Sequence, residues 1–222
     1  EELKLLRETG LNSVRMFMPF HAWYFERERF FGKLDELLAL LEKFGVTFMP
    51  VLFNDCAPFE RPDPVFPEKM SEGWQPYDIG HHGGKAENPF TGEKRKTGWI
   101  LFDEEEWREP QYTYAKEIIS RYARDPRIII WDLWNEPGNS NRHSLSMGYL
   151  ERVFEIARDI DPDQPLTAAP WSYPEGYGVS EDAQLEPIQK RAVELSDIVS
   201  FHQYENFERV RQAVNGLSKE GR

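Results

Sequence analysis

A single cysteine, Cys56, stands among 222 residues, so no internal disulfide can brace the fold. Stability has to come from a buried core, and this length with 40% hydrophobic residues supplies one substantial domain. Basic residues are outnumbered, 27 Lys and Arg against 39 Asp and Glu, giving a formal net charge of −12. That imbalance argues against nucleic acid and anionic membranes as partners and disfavours polyanionic substrates; a neutral ligand fits best. No apolar run approaches the roughly 20 residues needed to cross a bilayer. Neither GxGxxG nor GxxxxGK follows a candidate strand, so the phosphate-binding signature of nucleotide folds is missing. His81-His82 has no third ligand at recognisable spacing, and no metal or other cofactor is expected. The chain opens in EELKLLRETG, a helix end with Gly10 at its C-cap and no methionine. It is therefore expected to be a piece of a longer reading frame. Compartment (secreted, periplasmic or cytoplasmic) and oligomeric state are left open.

What the chain has in quantity is aromatic residues, at 14%, and a regular alternation of short apolar runs with amphipathic stretches. LNSVRMFMPF reads as a strand ended by Pro19. A helix from Lys33 follows, with Leu34, Leu37, Leu38 and Leu41 at helical spacing and Gly45 closing it. Val46 to about Asn54 is a second strand, despite its internal Pro50. From residue 55 to 107 the pattern dissolves into Pro, Gly, His and aromatics, a loop long enough to suggest function. Tyr112 to Ala123 is helical, and Arg127 to Trp134 is a third strand. A helix through Leu150, Val153, Phe154, Ala157 and Ile160 follows. Pro165 to Ala169 reads as strand, Leu185 to Leu195 as helix, Asp197 to Phe201 as strand and Asn206 to Leu217 as helix.

Five strands each followed by a helix imply a parallel sheet with helices outside, within a single domain over residues 1–222 interrupted by the 55–107 insertion. A doubly wound sheet and part of a (β/α)₈ barrel both satisfy that order. The missing phosphate loop favours the barrel, and so do the polar residues at the strand ends, where barrels place their chemistry. Arg15 lies in the first strand. Asn54 and Asp55 end the second, Asn135-Glu136 the third, Trp171 follows the fourth, and His202-Gln203-Tyr204 follows the fifth. Glu136 is the reactive candidate. Held against Trp131 or Trp134 in a partly dry cleft, its carboxyl is expected to have a raised pKa, as a general acid requires. Asn135 offers a donor and an acceptor to a sugar hydroxyl. Trp23, Trp74, Trp99 and Trp171 are candidates to stack on sugar rings, Trp171 foremost. Asp132 is expected to be a buried partner for Arg15. Cys56 reads as a packed thiol.

WDLWNEP, with SFHQY some 65 residues later and Arg15 on an early strand, resembles the clan A retaining glycoside hydrolases, most closely the cellulase-type enzymes related to family 5. The resemblance runs from LNSVRMF to DIVSFHQY. It implies a partial (β/α)₈ barrel, strands two to six, acting on an oligo- or polysaccharide by double displacement. Glu136 would be the acid/base and Asn135 would bind the sugar hydroxyl next to the cleaved bond. Arg15 would orient the nucleophile, and His202 and Tyr204 would flank the glycosyl-enzyme bond. FNDC stands where the family usually has a histidine, so Asn54 or Asp55 is expected to take over that contact. Retaining hydrolysis needs a second carboxylate about 5 to 5.5 Å from the first. The family pattern puts it on the strand after the one bearing His202, which is expected beyond Arg222; Glu205 is the best internal substitute. Two other readings remain: a barrel that binds carbohydrate without cleaving it, and a doubly wound protein of other function.

Overall fold

A computed structural model describes residues 1–57 and 97–220. Helix α1 (Glu2–Glu8) leads through Gly10, at a left-handed φ of 85°, into strand β1 (Ser13–Phe17). Then come α2 (Phe20–Phe25), α3 (Arg27–Lys43) and β2 (Thr47–Asn54). After the undescribed stretch, a 3-10 turn (Leu101–Asp103) opens α4 (Glu105–Tyr122), followed by β3 (Trp131–Asn135) and α5 (Met147–Ile160). Strand β4 (Leu166–Ala169) precedes α6 (Pro187–Leu195) and α7 (Phe207–Leu217). The four strands pair in parallel in the order β1-β2-β3-β4. Strictly sequential order, with each crossover on a helix, is an arc of a barrel; a doubly wound sheet would reverse its order at a switch point.

The helices form where the apolar spacing puts them. In α3, Phe30, Leu34, Leu38 and Leu41 are buried at steps of four, four and three and cover the sheet. The helix ends in a Schellman motif: Val46 N donates to Leu41 O at 2.9 Å and Gly45 N to Glu42 O at 2.9 Å, with Gly45 at φ 63°. Leu150, Val153, Phe154 and Ala157 bury one face of α5 against β3 and α4. Every residue of β3 is buried, so this strand lies at the centre of the described core. Among the described residues, no helix is long and apolar enough to cross a membrane.

Several boundaries differ from the sequence-based expectation. Helix α3 begins at Arg27 rather than Lys33, because Phe30 extends its buried stripe and Arg27 reaches Glu117 on α4. The aromatic run of α2 is a separate helix: Trp23, a candidate for sugar stacking, is 4% exposed and donates to Glu117 Oε2 at 3.0 Å. Helix α4 starts at Glu105, upstream of Pro110, with Glu105 and Glu106 favouring its N-terminus. The insertion expected over 55–107 therefore ends earlier. Its Trp74, Tyr77, Phe90 and His81-His82 lie outside the described residues. Residues 197–201 are not assigned as a strand. The segment runs beside β4 through Asp197 N to Leu166 O at 2.8 Å and His202 N to Pro170 O at 2.9 Å. Between those points the Thr167 hydroxyl donates to Ile198 O at 2.7 Å and accepts from Ser200 N at 3.3 Å, replacing backbone ladder bonds with side-chain ones.

Candidate active site

Arg15 from β1 crosses the strand ends and donates from Nε to Asp132 Oδ2 at 2.8 Å and from Nη2 to Asn135 Oδ1 at 2.7 Å. Strict alternation would send Asp132 and Asn135 to opposite faces of β3. A register irregularity between Asp132 and Trp134 brings them to one face. Asp132 is wholly buried; burial raises its pKa, while Arg15 opposes the shift. Asn135 is locked at its other end too, since Nδ2 donates to Asn54 Oδ1 at 2.8 Å. Asn54 Oδ1 also accepts from Cys56 N at 2.9 Å, fixing the chain just past β2.

Glu136 follows directly, 4% exposed, at a left-handed φ of 49° that a residue with a side chain rarely adopts. Four donors hold its carboxylate. His202 Nδ1 lies 2.6 Å from Oε1, where the Tyr204 hydroxyl also donates. Oε2 accepts from Cys56 Sγ at 2.8 Å and from Asn139 Nδ2 at 2.5 Å. Burial alone would raise the pKa, but the hydrogen bonds from His202, Cys56 and Tyr204 outweigh it and hold the group down at about 2. This reverses the expectation of a raised pKa. The tryptophans of β3 are buried in the core, and the groups that meet the carboxylate are donors favouring its charged form. Burial and the Glu136 charge in turn push the Cys56 thiol and the Tyr204 phenol well up, so both stay protonated donors.

Behind the turn sits a buried polar strut. Asp55 is fully enclosed and accepts from Gly138 N at 2.7 Å and Ser146 Oγ at 3.0 Å, with Arg142 Nε at 3.5 Å. It braces the turn and, with no exposed surface, cannot meet a ligand, which corrects its expected role as a sugar contact; burial raises its pKa to about 6. Arg142, itself 1% exposed, continues to both carboxylate oxygens of Asp103 at 2.8 Å and to Gly98 O at 2.6 Å. Gly138 has φ 83°, and an added Cβ would lie 2.7 Å from Ile188 Cγ2 and 3.1 Å from His143 O. On the far side Gln189, buried on α6, donates to Pro137 O and accepts from Trp171 N at 2.9 Å. Trp171 is half-buried, and its indole N–H is without a partner among the described residues.

The structure thus brings Arg15, Asn54, Asn135, Glu136, His202 and Tyr204 into one connected set, places Trp171 one bridge away and moves Asp55 behind it. Glu205 points elsewhere, its carboxylate 3.2 Å from Arg209 Nε. Sequence reasoning missed Asn139 and misjudged Cys56. The one available signal was proximity: Asn139 is three residues past Glu136, and Cys56 is two past Asn54. Among the described residues no group of three His, Cys, Asp or Glu side chains is placed to hold a metal.

Residues 81–218 match the family described as Cellulase (glycosyl hydrolase family 5). The chain belongs to glycosyl hydrolase family 5. Curated relatives of this family-5 chain include a probable mannan endo-1,4-beta-mannosidase F of Aspergillus flavus, 24% identical, and a mannan endo-1,4-beta-mannosidase A of Podospora anserina, 23% identical. Each match covers 91% of this chain but 42% and 52% of the relative, so the chain spans about half the length of these proteins. Among solved structures it resembles Thermotoga maritima Cel5A, determined with cellobiose, at TM-score 0.52 and 19% identity, over 93% of this chain and 57% of that one. It also resembles the endo-beta-1,4-mannanase of Thermotoga petrophila at TM-score 0.51 and 17% identity, over 91% and 48%. At such identities the structural likeness speaks for the fold alone, a partial (β/α)₈ barrel.

Proposed function

We propose that the chain forms the acid/base half of a retaining glycosidase site acting on neutral β-linked glycans, within one catalytic domain. The observation that carries this reading is the Glu136 carboxylate, fixed at the end of the central strand by His202 and Tyr204 on one oxygen and Cys56 and Asn139 on the other. Glu136 is the acid/base, and Asn135, locked between Arg15 and Asn54, binds the sugar hydroxyl. Trp171 offers an indole face to a sugar ring, and His202 and Tyr204 line the cleft beside the reacting carbon. With its pKa held near 2, Glu136 is ready for the base step, in which it takes a proton from water. The acid step needs it protonated. A second carboxylate about 5 to 5.5 Å away would raise its pKa by repulsion and would serve as the nucleophile. Glu205 does not suit that task, being engaged by Arg209, and the family pattern assigns the nucleophile to the strand that follows the segment bearing His202.

The mannosidase names of the curated relatives make β-1,4-mannan the first substrate to test, ahead of cellulose and xylan. The decisive assay compares this chain with a form extended past Arg222 by its reading frame, on those polysaccharides and on aryl β-glycosides. The extended form should hydrolyse at least one of them and lose that activity in Glu136→Gln; full activity of that variant would end the acid/base assignment. Turnover by the short form that vanishes in Glu205→Ala would overturn the placement of the nucleophile. The second reading, binding without cleavage, is favoured by the ionised Glu136 and the engaged Glu205. It predicts glycan affinity that survives Glu136→Gln, with no hydrolysis by either form.

A further inference from the structure

Cys56 takes no step in the chemistry just assigned, yet it has more contacts around Glu136 than a packing residue needs. Its Sγ is 2.8 Å from Glu136 Oε2, 3.2 Å from Asn139 Nδ2 and 3.5 Å from Asn135 Nδ2. Its own backbone N–H is tied to Asn54 Oδ1, so the position of the thiol is set by β2. The sulfur therefore accepts from two amides while its single proton has one strong acceptor in reach, the Glu136 carboxylate. We propose that Cys56 is a positioning residue for Glu136, its thiol proton and Asn139 Nδ2 pinning Oε2 while His202 and Tyr204 pin Oε1, so that rotation of the carboxyl about its terminal torsion is blocked from both sides. The inference rests on the acid/base reading for its bearing on catalysis, but the contact itself does not.

The chemistry explains why a thiol suits the place. A buried thiol beside a carboxylate keeps its proton well above the ordinary thiol range, so it remains a donor through neutral pH, where Glu136 is charged. When Glu136 is protonated, the thiol loses a charged acceptor and the hydrogen bond weakens. Cys56 thus favours the ionised form and opposes protonation. Other titratable groups bear on the same pair: Asp55 just past β2, Tyr173 after β4, and His202 and Tyr204, the last of which is itself under the charge of Arg15 from β1. Any shift seen on changing Cys56 must therefore be separated from theirs.

The chain itself provides the probe, because Cys56 is its only cysteine and its S–H stretching band in the infrared is unique. In the unmodified chain that band should lie at the lowered frequency of a thiol donating to a carboxylate, and Glu136→Gln should move it up toward a weakly bonded thiol. Identical bands in the two proteins would overturn the proposal without requiring any change at Cys56. In a second arm, the Glu136 carboxylate stretch is followed against pH with ¹³C-labelled glutamate and assigned by its loss in Glu136→Gln. Cys56→Ala should raise the midpoint by about one pH unit, the size of one charge-assisted hydrogen bond, and Cys56→Ser, which keeps a donor, should restore most of it. An unmoved midpoint in Cys56→Ala would reduce the thiol to packing. If instead Glu136→Gln in the extended form retains hydrolysis while the band shift is present, the acid/base reading fails and the Cys56–Glu136 contact stands.

Discussion

Arg15→Met tests whether the strand-end network is held by charge. The substitution keeps most of the side-chain volume and removes the guanidinium, leaving the wholly buried carboxylate of Asp132 without its cation and Asn135 Oδ1 without its donor. Breaking a fully buried pair costs roughly 3–5 kcal/mol. The Arg15 side chain is 29% exposed, so water can partly replace it, and about 2–4 kcal/mol is expected here. In the double variant Arg15→Met/Asp132→Asn the stranded charge is gone, and the residual loss should fall to about 1 kcal/mol, the cost of the unpaired Asn135 oxygen. Equilibrium unfolding in urea reads both, with equal slopes as the check that the denatured states match. A pH series sharpens the point. Without Arg15 the folded carboxyl of Asp132 has its pKa raised further, so the folded state holds a proton that the unfolded state gives up. The deficit of the single variant should accordingly grow as pH rises above the ordinary Asp range. Equal destabilisation of the single and double variants, or a deficit independent of pH, would refute the argument.

Other outcomes follow from the same geometry. The pKa of Glu136 is depressed to about 2, so its contribution is full above the unfolded pKa near 4.5 and is lost as pH falls through 2. Glu136→Gln should flatten thermal stability against pH across that window, by about 3 kcal/mol in total. Asp55 has the opposite sign. With its pKa raised to about 6, it makes stability fall as pH rises from 3.8 to 6, and Asp55→Asn should remove that slope. Arg142→Ala removes the cation shared by Asp55 and Asp103 and should cost about 3–5 kcal/mol in denaturant unfolding. Gly138→Ala forces a Cβ into Ile188 and the His143 carbonyl at a positive φ; it should cost more than about 1 kcal/mol and reduce glycan cleavage by an extended form, whereas Gly148→Ala, at a helix position with open space, should do neither.

Four of the five expected strands are present because apolar runs of β-branched and aromatic residues bounded by Pro, Gly or Asn leave few alternatives to a buried parallel strand. The run 197–201 carries the same composition, but Thr167 takes its backbone partners, and no local pattern announces a competitor 30 residues away. Asn54, Asn135 and Glu136 were visible because a polar group ending an apolar strand has to be explained. Their roles were less visible. Asp55 and Asn54 are adjacent, and only the fold turns one into the strut and the other toward Asn135.

By itself the sequence determined the sequential βα order, the excess of acidic residues, the absence of an internal disulfide and the polar residues Asn54, Asn135 and Glu136 where apolar strands end. These follow from periodicity and composition, which act along the chain. The tertiary structure alone decided the electrostatics of Glu136. Its pKa depends on which donors arrive from Cys56, two residues past β2, and from His202 and Tyr204, 80 positions before it and 66 and 68 after, and burial without them would have driven it the other way. It also decided that Asp132 and Asn135 share one guanidinium, since an irregularity of pairing between β3 and β4 sets which face each side chain meets. Contacts of that kind form between distant segments, and their sign is settled only when the chain has closed on itself.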